Sequence, residues 1–375
     1  MNKPDFLIVG GGIIGLSIAR ELRKRGARGI TVLERGEAGK EASWAAAGML
    51  SPDIESSPDG HFYRLCRRSL SMYHRFANDL FDETGVDIEL DRAGTLALDF
   101  ESPGTLESTF EEQNQAGVNV RFLSGEAVRE LEPNISERAT CGLLYPDNWQ
   151  VENRRLLKAL KAYSGQSGIA IRENSSVNAL VVKGGGIVGV ETEQGTIFAD
   201  HVVVATGAWT LLIKIGELPM PFEVKPVLGQ IICFRPAQRL INCVVHGPRG
   251  YLVPRQDGRI IAGSTSEYRG YEKGVTDEAV NELYSMAAEL VPALGKEEVV
   301  DSWSGLRPCS SDKLPVIGEI PGYSNLTVAT GHYRNGILLA PVTATLVADC
   351  ITGIDEFPAS FSPDRFFRDS AAASV

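Results

Sequence analysis

Three glycines near the start of the chain carry its clearest chemical signature. Gly10, Gly12 and Gly15 follow an apolar run at residues 6–9 in the spacing G-x-G-x-x-G. In a strand–turn–helix unit the first glycine allows a tight turn and the second lets a pyrophosphate lie against bare backbone. The third lets the helix pack close to the strand. We therefore expect a dinucleotide to bind here, with its phosphates at the N-terminus of a helix over residues 14–25.

The acid that ends the next predicted strand narrows the choice of ligand. Residues 30–33 form a second apolar run, and Glu34 follows it. A carboxylate at this place can accept hydrogen bonds from both ribose hydroxyls and disfavours a 2′-phosphate, so we expect an adenine dinucleotide without one. The motif alone leaves open a nicotinamide-dependent dehydrogenase or a flavoprotein.

A second copy of the glycine spacing shows how little it means without its context. Residues 184–189 read Gly-Gly-Gly-Ile-Val-Gly, but residues 190–196 then alternate and turn in the manner of a hairpin. Because no helix follows to hold a phosphate, we predict an ordinary turn here.

Composition and charge exclude several classes of function. The chain has 375 residues, a net charge of −11 and a pI near 5.1, which argues against nucleic acid as a partner. The cysteines contain no C-x-x-C pair and the histidines no H-E-x-x-H spacing. We therefore expect neither a disulfide framework nor a metal.

Two stretches bear on the location of the protein. The first predicted strand begins within five residues of the N-terminus, so we expect no leader peptide and a cytoplasmic protein. The longest apolar run, residues 336–351, is interrupted by Pro341 and Asp349. It is too short to span a bilayer comfortably, so we expect a buried helix and no stable membrane insertion.

The remaining apolar patterns predict the elements that must position these groups. Continuous apolar runs at 202–205 and 326–330 end in glycine turns, as the first strand does, so we place them in the same parallel sheet. Residues 216–300 have the pattern of a mixed layer. Further helices are predicted at 65–80, 106–116, 125–133, 153–164, 277–290 and 336–351, and further strands at 95–100, 118–123, 229–234, 250–254 and 259–263.

A segment of small residues lies between the first two helices. Residues 42–49 read Ala-Ser-Trp-Ala-Ala-Ala-Gly-Met. Such a segment suits a place between a sheet and a ligand, but composition equally fits an alanine-rich helical turn.

Four segments together resemble one enzyme family. The N-terminal glycine motif ending in Glu34-Arg35, the segment 43–50, the strand 202–209 and the segment 331–341, Gly-His-Tyr-Arg-Asn-Gly-Ile-Leu-Leu-Ala-Pro, look like the FAD-dependent D-amino-acid oxidase superfamily. Within it, residues 43–50, 305–308 and 331–341 are most similar to the glycine oxidase branch, which is linked to thiamine biosynthesis. The resemblance covers essentially the whole chain.

This resemblance implies a fold and a division into domains. We expect an α/β protein with an α+β insert: a Rossmann-like FAD-binding domain with a parallel sheet, and a substrate domain with a large mixed or antiparallel sheet. The FAD-binding domain would comprise residues 1–85, 150–215 and 305–364, and the substrate domain residues 86–149 and 216–304. Residues 365–375 would be a disordered tail.

The resemblance also implies a reaction. FAD, bound without a covalent link, takes a hydride at N5 from the substrate Cα, and water hydrolyses the resulting imine to a keto acid and ammonia. The substrate would be glycine or another small amine such as sarcosine or a small D-amino acid, O2 would become hydrogen peroxide, and the protein would be a homotetramer. No general acid or base is demanded, because the ammonium can lose its proton to solvent.

Particular residues receive roles by this resemblance. Arg307 would bind the substrate carboxylate with its planar fork, with the Tyr251 hydroxyl beside it. Arg334 would be a second cation, and the carbonyls of Gly48 or Met49 would accept from the amine. The residues expected around FAD are Gly10, Gly12, Ile13, Ile14, Gly15, Glu34, Arg35, Ala42, Ser43, Ala46, Ala47, Gly48, Met49, Val177, Gly207, Gly331, His332, Tyr333, Arg334, Asn335, Gly336, Ile337 and Leu338. Among them, residues 331–338 would aim a helix N-terminus at the flavin ring.

One residue departs from the pattern of this branch. Cys309 stands where we expect no cysteine, and sarcosine oxidases of the same superfamily attach their flavin through a cysteine in this general region. The flanking residues 310–313 do not match that pattern, so we expect a buried, unattached thiol. Two alternatives remain at this stage: a D-amino-acid dehydrogenase that passes electrons to a quinone, and a flavin-binding subunit without turnover of its own.

Overall fold

A computed structural model describes residues 3–55, 57–100, 103–355 and 357–367. The strands are β1 (Phe6–Val9), β2 (Ile30–Leu33), β3 (Met49–Leu50), β4 (Thr95–Asp99), β5 (Arg121–Ser124), β6 (Cys141–Tyr145), β7 (Trp149–Gln150), β8 (Ala170–Arg172), β9 (Val177–Lys183), β10 (Gly186–Thr192), β11 (Gly195–Phe198), β12 (His201–Val204), β13 (Lys214–Ile215), β14 (Val224–Phe234), β15 (Val244–Gly247), β16 (Gly250–Pro254), β17 (Ile260–Gly263), β18 (Val299–Ser310), β19 (Val316–Glu319) and β20 (Leu326–Thr330). The helices are α1 (Ile13–Lys24), α2 (Ala42–Ala45), α3 (Pro52–Glu55), α4 (His61–Thr84), α5 (Pro103–Gln115), α6 (Gly125–Leu131), α7 (Asn153–Ser167), α8 (Asp277–Leu290) and α9 (Ala340–Ile351). Short 3-10 segments cover Gly207–Leu212, Pro292–Lys296 and Tyr333–Asn335.

The first sheet has six strands in the order β19-β20-β12-β1-β2-β8. It is parallel except for the edge strand β19. Helices α1, α4, α7 and α9 cover one face, and the antiparallel strands β9–β11 cover the other. Ile8 of β1 packs on the helices, while Leu7 and Val9 pack on the strands. Burial on both faces is the reason why β1 is continuously apolar.

The second sheet has eight strands in the order β18-β14-β17-β16-β15-β4-β6-β5. It is antiparallel except for the pair β15–β4. Helix α8 packs against one face. The other face turns residues such as Ile231, Tyr251 and Trp303 toward Ala45 and Ala47. The small-residue segment 42–49 therefore lies at the junction of the two sheets.

The predicted fold class and most of the predicted elements are confirmed. Helix α8 has the predicted limits, and β12 and β20 join β1 in the parallel sheet. The second glycine copy is a turn between β9 and β10, with Gly184 at φ +60° and Gly185 at φ +79°. This left-handed backbone requires glycine, which explains the sequence without a phosphate.

The last helix begins later than predicted. We expected it to start at residue 336, but α9 starts at Ala340 after the 3-10 turn Tyr333–Asn335. Pro341 stands in the first turn of α9. Proline fits there because its missing N–H would have no intrahelical partner, so it sets the start of the helix.

The predicted domain boundary at 304/305 and the predicted tail 365–375 can be compared with the elements of the structure. The boundary at 304/305 falls inside β18, which pairs with β14 as far as Ser310. Of the predicted tail 365–375, residues 368–375 lie outside the described residues. Arg365 instead packs on the domain, since its Nε donates to Asp312 at 2.7 Å. Within the described ranges, none of the helices combines the length and the apolar character needed to cross a bilayer.

A substitution at Gly15 tests the close packing of α1 on β1. A Cβ at this position would overlap the Gly10 carbonyl oxygen. We expect Gly15→Ala to lower the thermal unfolding midpoint and the FAD content of the purified protein, because α1 must move away from the turn that precedes it. The matched control is Gly165→Ala in α7, where a Cβ meets nothing within 4 Å. It should be neutral or stabilising, since alanine favours helix by roughly 1 kcal/mol. Equal midpoints for the two variants would contradict the packing role.

Candidate active site

A cavity of about 340 Å³ opens between the two sheets. It begins at the glycine turn after β1 and runs along the segment 42–49 to Tyr251, Arg307 and Arg334. The residues predicted around a ligand that also line it are Gly10, Gly12, Ile13, Ile14, Glu34, Arg35, Ala42, Ser43, Ala46, Ala47, Gly48, Met49, Val177, Gly207, Tyr251, Arg307, His332, Tyr333, Arg334, Gly336 and Ile337. The fold therefore brings distant parts of the chain to one cavity.

Four predicted residues lie outside this lining: Gly15, Gly331, Asn335 and Leu338. Gly15 packs against the glycine turn, as argued above. Leu338 faces α4, and its carbonyl accepts from Ser69 Oγ at 2.6 Å. Asn335 is buried, and its amide closes the 3-10 turn onto the His332 carbonyl. These residues shape the backbone around the cavity and do not contact its interior.

The N-terminus of α1 lies at the cavity, and its N-cap residue contributes no side-chain hydrogen bond. Its N-cap is Gly12, and Ser43 Oγ accepts from the Ile13 amide at 3.0 Å. The Glu34 carboxylate accepts from the Gly11 amide at 2.8 Å and from the Gly36 amide at 3.0 Å. A carboxylate has about four acceptor positions, so Glu34 can hold the glycine loop and a ribose hydroxyl together.

The segment 42–49 is partly an alanine-rich helical turn and partly a stretch beside the cavity, so both predicted interpretations apply. Ala42–Ala45 form one helical turn, and the chain then extends from Ala46 to Leu50. A Cβ on Gly305 of β18 would lie 2.5 Å from the Ala45 Cβ, so small residues are needed on both sides of this contact. Gly48 has φ +74°, the left-handed region that glycine favours.

A buried arginine that the sequence did not reveal holds this segment. Arg255 is 4 % exposed. Its Nη2 donates to the Ala47 carbonyl at 2.8 Å and to Asn153 Oδ1 at 3.2 Å. Its Nη1 donates to the Val151 carbonyl at 2.8 Å and to Gln150 Oε1 at 3.0 Å. Burial lowers the pKa of Arg255 to about 10, which still leaves it charged at neutral pH.

A second unpredicted cation stacks behind the same segment. The Arg154 guanidinium lies 3.6 Å from the ring centre of Trp44 and 4.4 Å from that of Trp303. The indole of Trp303 donates to the Ala45 carbonyl at 2.9 Å. Burial lowers the pKa of Arg154. No local pattern in the sequence marks Arg154 or Arg255, since each acts through segments that are distant along the chain.

Arg307 lies in β18 with its guanidinium over the backbone of Gly229. A Cβ on Gly229 would overlap the guanidinium, so this arginine can lie flat only over a glycine. Its Nη2 donates to Ser264 Oγ at 2.6 Å and its Nη1 to the Thr265 carbonyl at 3.1 Å. Arg307 forms no ion pair within the ranges that the structure describes. The cavity thus contains a positioned cation without a carboxylate partner.

Tyr251 lines the cavity together with Arg307. The residue is 5 % exposed, and its ring packs on Gly263, where a Cβ would lie 2.8 Å from the phenol oxygen. Its hydroxyl has no hydrogen-bond partner among the described side chains and backbone groups. A free phenol donor and an unpaired guanidinium suit an anionic ligand group.

Arg334 differs from Arg307 because it is already paired. Its Nε lies 3.2 Å from Glu55 Oε2.

Two buried histidines near the cavity have lowered pKa values. Burial lowers the pKa of His246 to about 4, and the charge of Arg334 adds to this effect. Burial alone lowers the pKa of His332 to about 3, and its Nε2 lies 3.0 Å from Thr343 Oγ1. Both imidazoles are therefore neutral at physiological pH.

The family profile described as FAD dependent oxidoreductase (DAO) matches residues 5–350. The chain belongs to this family. The resemblance seen in the sequence is thereby confirmed, and FAD is confirmed as the cofactor.

Particular members of the FAD-dependent oxidoreductase family show how far the likeness extends. The chain is 37 % identical to the glycine oxidase of Pseudomonas aeruginosa, over 95 % of this chain and 98 % of that protein. It is 39 % identical to the bifunctional protein ThiO/ThiG of Synechocystis, over 97 % of this chain and 54 % of that protein. The chain thus spans about half the length of such bifunctional relatives. A crystal structure of glycine oxidase from Geobacillus kaustophilus matches with a TM-score of 0.91 and 33 % identity, over 96 % of this chain and 98 % of that one.

The residues present fit the FAD of this oxidoreductase family. The N-terminus of α1 meets the cavity where a pyrophosphate needs donors, and Glu34 lies at the end of β2 beside it. Residues 45–48 are alanines and a glycine that line the cavity, so their small side chains leave room for a planar ring beside the backbone. When bound, FAD accepts the two electrons of a substrate oxidation.

Cys309 does not reach the cavity of this FAD-dependent oxidoreductase. The residue is 5 % exposed, and its Sγ donates to the Ser310 carbonyl at 3.5 Å. Burial raises the pKa of the thiol, which disfavours the nucleophilic thiolate. These features support a flavin that is bound without a covalent link.

Replacement of Arg255 tests its hold on the segment 42–49. Arg255→Met leaves four buried oxygens without a donor. Because each such loss costs roughly 1–3 kcal/mol, we expect the free energy of unfolding to fall by about 3 kcal/mol or more. Urea unfolding of the FAD-free protein measures this, and an FAD titration should show weaker binding. The control is Arg68→Met on the exposed face of α4, where a change within about 0.5 kcal/mol is expected. An unchanged midpoint for Arg255→Met would refute the role.

Proposed function

We propose that this protein catalyses the oxidative deamination of glycine and of similar small amines. Glycine, O2 and water would give glyoxylate, ammonia and hydrogen peroxide. The observation that carries the proposal is that the Arg307 guanidinium, without a carboxylate partner among the described residues, and the free Tyr251 hydroxyl line one cavity of an FAD-dependent oxidoreductase. The names of the Pseudomonas aeruginosa and Geobacillus kaustophilus relatives support glycine as the substrate.

The proposed role of Arg307 is to bind and orient the substrate carboxylate. Ser264 and the Thr265 carbonyl hold the guanidinium from one side, and its remaining N–H groups are free for a bidentate contact. The Tyr251 hydroxyl would donate a further hydrogen bond. A substrate held by its carboxylate presents its Cα at a constant position, which the reaction requires.

Of the two backbone carbonyls predicted to accept from the substrate amine, the structure favours one. The Gly48 carbonyl already accepts from the Val151 amide at 2.9 Å. Met49 pairs with Gln150, whose amide and carbonyl both bond to Asp91 on its other side. The Met49 carbonyl therefore has no bond to Gln150, and we assign the contact with the amine to Met49. Neutral His332 and His246 leave the cavity without a histidine cation that would repel an ammonium group.

The proposal extends to the pathway, the location and the assembly of the protein. A role in thiamine biosynthesis agrees with the likeness to the bifunctional ThiO/ThiG protein. A cytoplasmic location, assembly as a homotetramer and the division into domains given above remain predictions from the sequence.

Two measurements on the purified holoenzyme test the reaction. Stoichiometric release of hydrogen peroxide from glycine in air would exclude a dehydrogenase that needs a quinone. Anaerobic addition of glycine should bleach the flavin absorbance band, because the electrons of the substrate enter FAD. A band that stays unchanged with glycine, sarcosine and D-alanine would sink the proposal.

Substitution of Arg307 tests its assigned contact. Arg307→Ala should raise the KM for glycine roughly ten- to hundredfold, since a charge-assisted hydrogen bond contributes about 1.5–3 kcal/mol. Arg307→Lys should recover only part of this, because an ammonium cannot form the bidentate fork. Acetate, which lacks the amine, should lose inhibitory strength in parallel. A normal KM in Arg307→Ala would remove Arg307 from the site.

A further inference from the structure

Three arginines line the described cavity, and their pairing differs. Arg35 at the dinucleotide end pairs with Glu41 at 2.7 Å. Arg334 pairs with Glu55 at 3.2 Å. Arg307 has no carboxylate partner among the described residues. The substrate end of the cavity therefore contains two guanidinium groups but only one unneutralised positive charge.

The Arg334–Glu55 pair belongs to the cavity wall. Both residues line the cavity, on the turn that follows β20 and at the end of α3. The Glu55 side chain is 18 % exposed and that of Arg334 39 %. The charge of Arg334 contributes to the lowered pKa of buried His246, whose ring centre lies 6.3 Å from that of the cavity residue Tyr251. Without Glu55, this charge would be available to a ligand.

We propose that Glu55 restricts the substrate to amino acids with a single carboxylate by neutralising Arg334. This inference rests on the proposed function of the site. Arg307 would take the one carboxylate, and the rest of the substrate would face the Arg334–Glu55 pair.

The physical reason is a mismatch of charge for a second carboxylate. Such a group near Arg334 would lie close to the Glu55 carboxylate. Two negative charges in a partly buried site repel each other more strongly than they would in water. It would also compete with Glu55 for Arg334, whose Nε already pairs with the Glu55 carboxylate. A neutral or hydrogen side chain meets neither obstacle. Arg334 could therefore bind an anionic group, but the charge of Glu55 prevents this.

The experiment compares Glu55→Gln with wild-type holoenzyme. Glutamine keeps the shape of glutamate and removes its charge, so the fold should persist; unchanged circular dichroism and FAD content check this. We expect the ratio of kcat/KM for iminodiacetate or D-aspartate to that for glycine to rise roughly ten- to hundredfold, the effect of one charge-assisted contact. Binding of malonate, succinate and glutarate, followed by perturbation of the flavin spectrum, should strengthen for at least one of them. Binding of acetate should change little.

Two further variants separate this mechanism from a loosened site. Arg334→Gln alone should give no gain with dicarboxylates, and Glu55→Gln/Arg334→Gln should lose the gain of the single variant. A gain that persists in the double variant would mean that Glu55 acts by bulk, and it would overturn the inference. So would a folded Glu55→Gln whose preference for dicarboxylates over acetate equals that of the wild type.

The spectral titrations keep this inference separate from the proposed function. If wild-type protein fails to oxidise glycine but Glu55→Gln shifts binding toward dicarboxylates, the proposed substrate is wrong and the role of Glu55 stands. If glycine is oxidised and the shift is absent, the reaction stands and the role of Glu55 is wrong.

Discussion

A single buried guanidinium joins the parts of this molecule that must meet. Arg255 leaves the large antiparallel sheet at the end of β16 and donates to the segment 42–49, to the chain before α7 and to Asn153 at the start of α7. The Nη groups of this buried cation make four hydrogen bonds, so these segments cannot separate without leaving buried donors unpaired. The wall of the cavity is therefore fixed by the contact between the two sheets.

The segment that Arg255 holds packs against a glycine on one side and against an indole and a guanidinium on another. Gly305 faces Ala45, and Trp303 and Arg154 press on Trp44 from behind. The result is a smooth wall between the glycine turn of β1 and the arginines of the second sheet, which suits a long, flat cofactor.

Charge decides what the far end of that wall can bind. Arg307 is held by a hydroxyl and a carbonyl, so it keeps its full positive charge for a ligand. Arg334 is held by a carboxylate, so most of its charge is cancelled. Two arginines in one cavity thus differ in the positive charge that they offer to a ligand, and the difference comes from their hydrogen-bond partners.

The sequence by itself determined the fold class and a dinucleotide site, and its resemblance to a known family gave the cofactor and most of the residues along the cavity. Continuous apolar strands, a glycine turn, helix α1 and Glu34 are local patterns, and local patterns follow from backbone geometry and burial. The tertiary structure alone decided the limits of β18 across the expected domain boundary, the later start of α9, and the partners of Arg255, Arg154 and Glu55. Each of these depends on a partner distant along the chain, and no periodicity or spacing encodes which buried carbonyl or carboxylate a given arginine will meet.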